Sequence, residues 1–424
     1  MNILLAHFKI QDWGGIVNYS EFLARGFKEL GHTVDSVMLK NTGATGYHKG
    51  KDRSLDNGWE YGSGLGLWMH QKNGWEGMHQ FNYRTDNGSD DWEALTAPYD
   101  LVIYIVPVPT CSKQNKGDDT WLSLFQSTFT PQVSVIHDGN MQKLYPHILE
   151  TVPYLEGVIC VHDAAFNSAE VLPVNRALIP NPHENHMEDI LLPCEREDGF
   201  VSMQTFKRWK RVDDLIRAIP HMDDMSDKII CGGGIEYYYM TSKDKCKKEY
   251  MDEQGNRIWD NAVANGMEFL GYVDTSERDN LLRKYKLLID PSWSHNYSKL
   301  GAHFNRVMVE AMSLGCVPVC TDLGMKNSSF FAAGENYIEI PYDISPEGYA
   351  EIIDRYMQDD KALQRIQENN LELVEKFDKA VIASHILDFA SGPGFNTGYL
   401  NDHGEPTDKF QADSLKKLAY FEDL

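Results

Sequence analysis

Along the chain, short apolar runs alternate with segments whose apolar residues recur at helical spacing. The first run, Asn2 to Ala6, leads through a glycine turn into VNYSEFLARGFKELGH, which carries its apolar residues on one helical face. Gly31 closes that helix and TVDSVML starts the next run, a strand, helix, strand opening typical of parallel sheets. DLVIYIVPV (100 to 108), QVSVIHD (132 to 138) and GVICVHD (157 to 163) read as further buried strands, each with polar residues at its C-terminal end. In open α/β sheets, ligands bind beyond those ends.

Residues 43 to 95 break the pattern: Gly and Asn are frequent, periodicity is weak, and Trp59, Trp68, Trp75 and Trp92 stand out. The stretch reads as an insert, either a small β-subdomain on the sheet edge or an aromatic platform for an acceptor. IPNPHENHMEDILLPCERED, rich in Pro and acidic residues, resembles an interdomain linker. A second α/β series follows: GFVSMQTF, a helix at VDDLIRAIPHM, KIICGGG, MEFLGYV, KLLIDPSW, the helix of YSKLGAHFNRVMVEAMSLG, and VPVC. Residues 345 to 390 have clear helical period. The expected organisation is a Rossmann-like domain over 1–190 containing the 43–95 insert and a second over 191–385, with 386–424 packing back on the first.

Composition narrows the class. The chain has 424 residues, 42% hydrophobic and 24% charged, enough for two cores, and it lacks the run of about 20 apolar residues that a membrane helix needs. MNILLAHFKIQDWGG lacks a basic leader and reads as a buried strand rather than a signal peptide. Cys111, Cys160, Cys194, Cys231, Cys246, Cys316 and Cys320 are odd in number and widely spread, so reduced thiols and a cytoplasmic location are expected. The net charge of −23 opposes binding to a polyanion, although KRWKR (207 to 211) and KDKCKK (243 to 248) are locally basic. No obligate protein partner and no membrane partner is evident.

Candidate chemistry gathers at the strand ends. Gly14 and Gly15 lie between the first strand and helix, where backbone N–H groups meet phosphate. KRWKR sits between a strand and a helix, a place for a cationic clamp on a diphosphate built from Arg208 and Lys210. CGGGIE brings Gly234 and Glu236 to the end of another strand, and FLGYV offers the backbone of Tyr272 and Val273 to a nucleobase. There is no Walker motif, no G-x-G-x-x-G after the first strand and no H-E-x-x-H, and no metal site is indicated.

The order of GG turn, IPN linker, basic patch, GGG, FLGYV, and PSW followed by VEAMSLGCVPVCTDLG resembles the family 4 retaining glycosyltransferases of the two-Rossmann (GT-B) fold, along nearly the whole chain. The resemblance implies two domains facing a central cleft and a UDP-sugar donor, with no prosthetic group. Glu310 then bonds the nucleotide ribose, Lys210 with a nearby Arg holds the diphosphate, and the GG loop touches the phosphate. Ser298, Lys299, His303, Asn305 and Arg306 complete the donor side.

VSVIHDGNMQKL, GVICVHDAAFNSAEVL, the Trp209-Lys210 pair, GGGIEYY and YSKL further resemble the DNA α-glucosyltransferases of T-even bacteriophages. This implies 5-hydroxymethylcytosine in double-stranded DNA as acceptor. His137 and Asp138 become the candidate catalytic groups, and Trp59, Trp68, Trp75, His162 and Asp163 the candidate acceptor contacts.

The chain departs from the family at two places. The first Glu of E-x7-E is replaced by Ala302, and the Arg five positions before the Lys is Thr205. Ala302 leaves the sugar open and keeps a non-catalytic sugar-nucleotide-binding protein in view, while Arg208 or Lys207 stands as the replacement for the missing Arg. A saccharide, lipid or other small acceptor is the remaining alternative.

Overall fold

The computed structural model describes residues 1–7, 15–40, 78–82, 89–105, 122–137, 151–185, 187–223, 226–293 and 301–392. The chain divides into two compact units: Met1–Glu184 with Phe377–Leu424, and Asn185–Lys376.

The first unit is built on β1 (Asn2–His7), β2 (Thr33–Lys40), β3 (Met78–Asn82), β4 (Leu101–Tyr104), β5 (Gln132–Ile136), β6 (Gly157–Cys160) and β7 (Arg176–Leu178). These form one seven-stranded sheet of order β3-β2-β1-β4-β5-β6-β7, parallel throughout. Its helices are α1 (Gly15–Glu29), α2 (Ser89–Thr96), α3 (Leu122–Gln126) and α4 (Asp163–Ser168). Strand alternation divides the core: Leu4 and Ala6 face a cluster with Trp92 and Phe125, whereas Ile3 and Leu5 face Tyr19, Leu23 and Phe27 of α1. Burial on both faces explains why these strands read as continuous apolar runs rather than alternating ones. Trp92 is fully buried and donates its indole N–H to Thr128 at 2.8 Å, as a buried indole requires.

The second unit has a six-stranded parallel sheet of order β10-β9-β8-β11-β12-β13. Its strands are β8 (Glu197–Thr205), β9 (Asp227–Gly233), β10 (Met267–Gly271), β11 (Tyr285–Asp290), β12 (Val317–Thr321) and β13 (Ile338–Ile340). The helices are α5 (Val212–Ala218), α6 (Ile235–Thr241), α7 (Ile258–Ala264), α8 (Thr275–Lys284), α9 (Arg306–Ser313), α10 (Pro346–Met357) and α11 (Asp360–Val374). Buried Arg196 ties the start of this unit to its far elements, donating to the carbonyls of Leu282 at 2.8 Å and Tyr285 at 3.1 Å.

The helical stretch after residue 345 is cut by its own caps. Ser345 accepts from Gly348 N–H at 3.2 Å to start α10, and Asp359 from Ala362 N–H at 3.0 Å to start α11. Asp378 accepts from Ala380 N–H at 2.9 Å to start α12 (Lys379–Ser391), which lies in the first unit. There Ile382, Ala383 and Ile386 join the α1 cluster, and Lys379 pairs with Glu29 at 2.8 Å.

Two features differ from the sequence expectation. Part of the supposed 43–95 insert belongs to the main sheet, because β3 pairs in parallel with β2 and α2 follows it. The compact units divide at Glu184/Asn185 and Lys376/Phe377, whereas the linker and the return were expected at 190/191 and 385/386.

Candidate functional site

Strand order reverses in the second unit between β8 and β11, the place where an open α/β sheet offers a crevice. Beside that point lies a cavity of about 260 Å³, lined by Gln204, Thr205, Gly232, Tyr272, Arg278 and Glu310 among others. Gly232 has φ +128°, and a Cβ there would stand 1.9 Å from the Gln204 carbonyl oxygen, so only glycine fits between the two strands. Val273 also lines the cavity, and Tyr272 is 70% exposed. Their loop ends where Asp274 caps α8 by accepting from Glu277 N–H at 2.9 Å.

Glu310, 4% exposed on α9, projects its carboxylate into the cavity wall. Arg306, one turn earlier, donates to Oε1 from Nε at 2.7 Å. Arg278 of α8 lies 3.0 Å from the same oxygen through Nη1, while its Nε and Nη2 hold Asp279 at 2.7 and 2.6 Å. Two guanidinium groups thus fix one buried carboxylate, with charge-assisted bonds that set its orientation.

A second polar cluster lies at the end of β11. The turn after β8 carries a short 3-10 helix, Arg208–Lys210, and Arg211 at φ +49° turns the chain into α5. Lys210 is buried, its Nζ 4.3 Å over the Trp209 ring and donating to Asn305 Oδ1. Asn305 caps α9 by position, but its side chain is used elsewhere: Nδ2 donates to Asp290 Oδ2 and, at 3.1 Å, to Ser292 Oγ. Burial pushes the Lys210 ammonium down to about 8, opposed by Asp290 and reinforced by Lys207. Burial, with Lys210 nearby, likewise drives His303 down to about 4, so its imidazole is neutral near pH 7. The result is a fixed cation beside a pocket with a fixed carboxylate, an arrangement suited to a ligand with an anionic group and a hydroxylated ring.

Other expected donor residues divide. Arg208 is exposed in the basic turn, and Gly234 immediately precedes α6. The Glu236 carboxylate is taken up by Tyr250 Oη at 2.5 Å and Lys247 Nζ at 2.9 Å, which makes it a brace for α6. Gly15 opens α1, while Gly14, Asp138, Ser298, Lys299, Trp59, Trp68 and Trp75 lie outside the described residues. Among the described residues no group of His, Cys, Asp and Glu is arranged to hold a metal ion.

In the first unit, His137 follows β5 and meets Tyr19 edge-on at 4.8 Å. Burial and then His162 push His137 down to about 4, against a hydrogen bond to the Ile105 backbone. Its Nε2 is buried with no hydrogen-bond partner, and so are both ring nitrogens of His7 at the end of β1. His162 is the N-cap of α4: Nδ1 accepts from Ala165 N–H at 3.0 Å and Nε2 lies 3.3 Å from the His137 carbonyl oxygen. Both of its nitrogens therefore have protein partners. Asp163 follows it, buried in the first turn.

Sequence reasoning did not single out Asp290, Arg278 or His7. Asp290 and His7 carried a signal, a polar residue closing an apolar strand at its ligand-binding end. Arg278 carried none, because its partner Glu310 lies on another helix.

Residues 187–372 match the family described as Glycosyl transferases group 1. No curated protein matches the chain in sequence. Among solved structures, the chain is similar to Anabaena HepE in complex with UDP and glucose, at 15% identity and TM-score 0.66, covering 93% of this chain and 100% of that one. It is similar to an alpha-glucosyltransferase in complex with UDP-glucose and DNA containing an abasic site, at 15% identity and TM-score 0.65, covering 92% and 99%. It is also similar to a TarM variant of S. aureus in complex with Fondaparinux, alpha-GlcNAc-glycerol and UDP, at 14% identity and TM-score 0.62, covering 92% and 100%. These likenesses establish the GT-B fold, two parallel-sheet α/β units.

Proposed function

With residues 187–372 carrying the group 1 glycosyltransferase sequence, we propose that the chain is a retaining glycosyltransferase that takes its sugar from a UDP-sugar. The observation that carries this reading is Glu310, a buried carboxylate held by Arg278 and Arg306 in the wall of the cavity beside the β8/β11 switch. There it accepts hydrogen bonds from the ribose hydroxyls, while the loop of Tyr272 and Val273 meets the base. Lys210 and Arg208 face the diphosphate.

In the transfer, the bond between the sugar anomeric carbon and the phosphate oxygen breaks, and its electron pair stays on the phosphate. The acceptor hydroxyl oxygen bonds to the anomeric carbon on the same face and gives its proton to the leaving phosphate oxygen. Cations fixed before the reaction stabilise the charge that develops on the diphosphate. His137, neutral near pH 7 because burial pushes it down to about 4, has an unpartnered Nε2 able to accept a hydrogen bond from a hydroxyl, which supports the catalytic role that the resemblance gives it together with Asp138.

The acceptor we favour is 5-hydroxymethylcytosine in double-stranded DNA. Support comes from the HDGNMQKL and GVICVHD stretches and from the likeness to the alpha-glucosyltransferase solved with DNA. An extruded base needs aromatic faces and hydrogen-bonding edges, for which Trp59, Trp68, Trp75 and Asp163 are the sequence candidates. Ala302, fully buried where the family pattern has Glu, favours a second reading in which the donor binds without transfer. Mass spectrometry of nucleosides from hydroxymethylcytosine DNA, treated with the protein and a panel of UDP-sugars, separates them. A hexose or pentose added to the nucleoside is the expected result; UDP binding with no product from any donor would favour the binding protein. Product only on a saccharide, lipid or small molecule would reassign the acceptor.

A further inference from the structure

Lys210 is the buried cation of the donor site, and its charge is at risk. Burial disfavours an ammonium and Lys207 from the same turn adds a like charge, whereas His303 in front of α9 is neutral near pH 7 and adds none. The carboxylate that faces this group is Asp290, at the end of β11 and 4% exposed. It reaches Lys210 through Asn305, whose amide orientation follows from its partners: Nδ2 turns to Asp290 and Ser292 Oγ, which leaves Oδ1 to accept from Lys210 Nζ. Asp290 is itself fixed, because Oδ1 accepts from Ser292 N–H at 3.1 Å. A carboxylate locked by the backbone thus aims an amide, and the amide aims the ammonium.

We infer that Asp290 is a positioning residue for nucleotide-diphosphate recognition: through Asn305 it holds Lys210 in place and keeps it charged. The inference rests on the UDP-sugar reading of the same site. Neither Asp290 nor Asn305 needs to touch the ligand for this role, so their loss acts on the diphosphate and spares the nucleoside. The direction with pH follows from the Lys210 value of about 8: between the ligand's own terminal phosphate ionisation, at about 6, and that value the affinity for a diphosphate is full, and it falls as pH rises through the Lys210 value. Removing the Asp290 charge moves that fall to lower pH.

Calorimetric titration with UDP, and displacement by uridine, from pH 6 to 9 on the full chain and on Asp290→Asn tests it. In the unaltered protein UDP affinity should decline above pH about 8. In Asp290→Asn the decline should begin at least roughly half a pH unit lower, weakening UDP at least about twofold at pH 8 while uridine affinity is unchanged. Should that variant not fold, Asn305→Ala is expected to move the profile in the same direction. A variant that binds UDP with an unshifted profile overturns the inference and leaves the nucleotide reading standing. Failure of the unaltered protein to bind UDP at any pH overturns the nucleotide reading itself.

Discussion

Arg278 Nη1 lies 3.0 Å from Glu310 Oε1, the same oxygen that Arg306 engages one helical turn away. The carboxylate proposed to read the ribose is therefore also the counter-charge for two largely buried guanidinium groups. Glu310→Ala should do two things at once. Loss of hydrogen bonds to a charged group weakens UDP by about 1.5–3 kcal/mol, roughly ten- to a hundredfold. Removing this shared counter-charge while Arg278 keeps Asp279 costs about 1–3 kcal/mol of stability, read from urea denaturation of the same variant. An unchanged UDP affinity in a folded Glu310→Ala protein would remove Glu310 from the ribose site.

Gly232→Ala places a Cβ against the Gln204 carbonyl oxygen in the cavity lining. Because the obstructing atom is backbone, β8 and β9 must part. Destabilisation of about 2 kcal/mol or more is expected, together with loss of UDP binding, measured by thermal melting with and without UDP.

Gly26 tests the return of the chain into the first unit. A Cβ there would lie 2.1 Å from the Lys379 carbonyl oxygen, so Gly26→Ala should force α1 and α12 apart. Thermal melting should show a loss of several degrees, from about 1–3 kcal/mol of overpacking. A melt identical to that of the unaltered protein would contradict the α1/α12 packing.

Acid should destabilise the fold through its buried histidines. Burial lowers His7 from 6.5 to about 3, and His137 and His303 to about 4. Below pH 6.5 the unfolded chain binds protons that the folded chain refuses, so stability falls as pH falls, continuing to about 4 for two of them and 3 for His7. Each contributes at most about 1.4 kcal/mol per pH unit in that window. Urea midpoints at pH 7 and pH 5 should therefore differ less in His7→Leu than in the unaltered protein; an equal difference would mean that His7 does not stay neutral.

The parallel architecture was legible because strands buried on both faces leave uninterrupted apolar runs, and TVDSVML, DLVIYIVPV and KLLIDPSW all became strands of the two sheets. A return to the first unit was expected from residue 386, but periodicity marks a helix and not the core it joins, so nothing in KAVIASHILDFAS announced that α12 packs on α1 from Lys379 onwards. The polar cluster proposed to hold the donor was half visible. Lys210 could be named from a basic turn, and Asn305 and Glu310 from the family resemblance, whereas Asp290 and Arg278 enter only through folding, from β11 and α8. His162 was named as an acceptor contact, but a histidine before DAAF also suits a helix cap, and both of its nitrogens have protein partners.

A net charge of −23 sets a limit on DNA as acceptor. Association with hydroxymethylated duplex should be weak and should fall steeply with salt, in proportion to the number of phosphates met by Lys and Arg. Tight binding insensitive to salt, measured by fluorescence anisotropy, would contradict the DNA reading.

The most direct measurement of the central claim is release of UDP from UDP-sugars in the presence of hydroxymethylcytosine DNA, followed for the unaltered chain and for Lys210→Ala. Release that depends on the acceptor, and that falls at least about a hundredfold in a folded Lys210→Ala protein, is the expected result. UDP release from no donor, or release indifferent to Lys210, would contradict it.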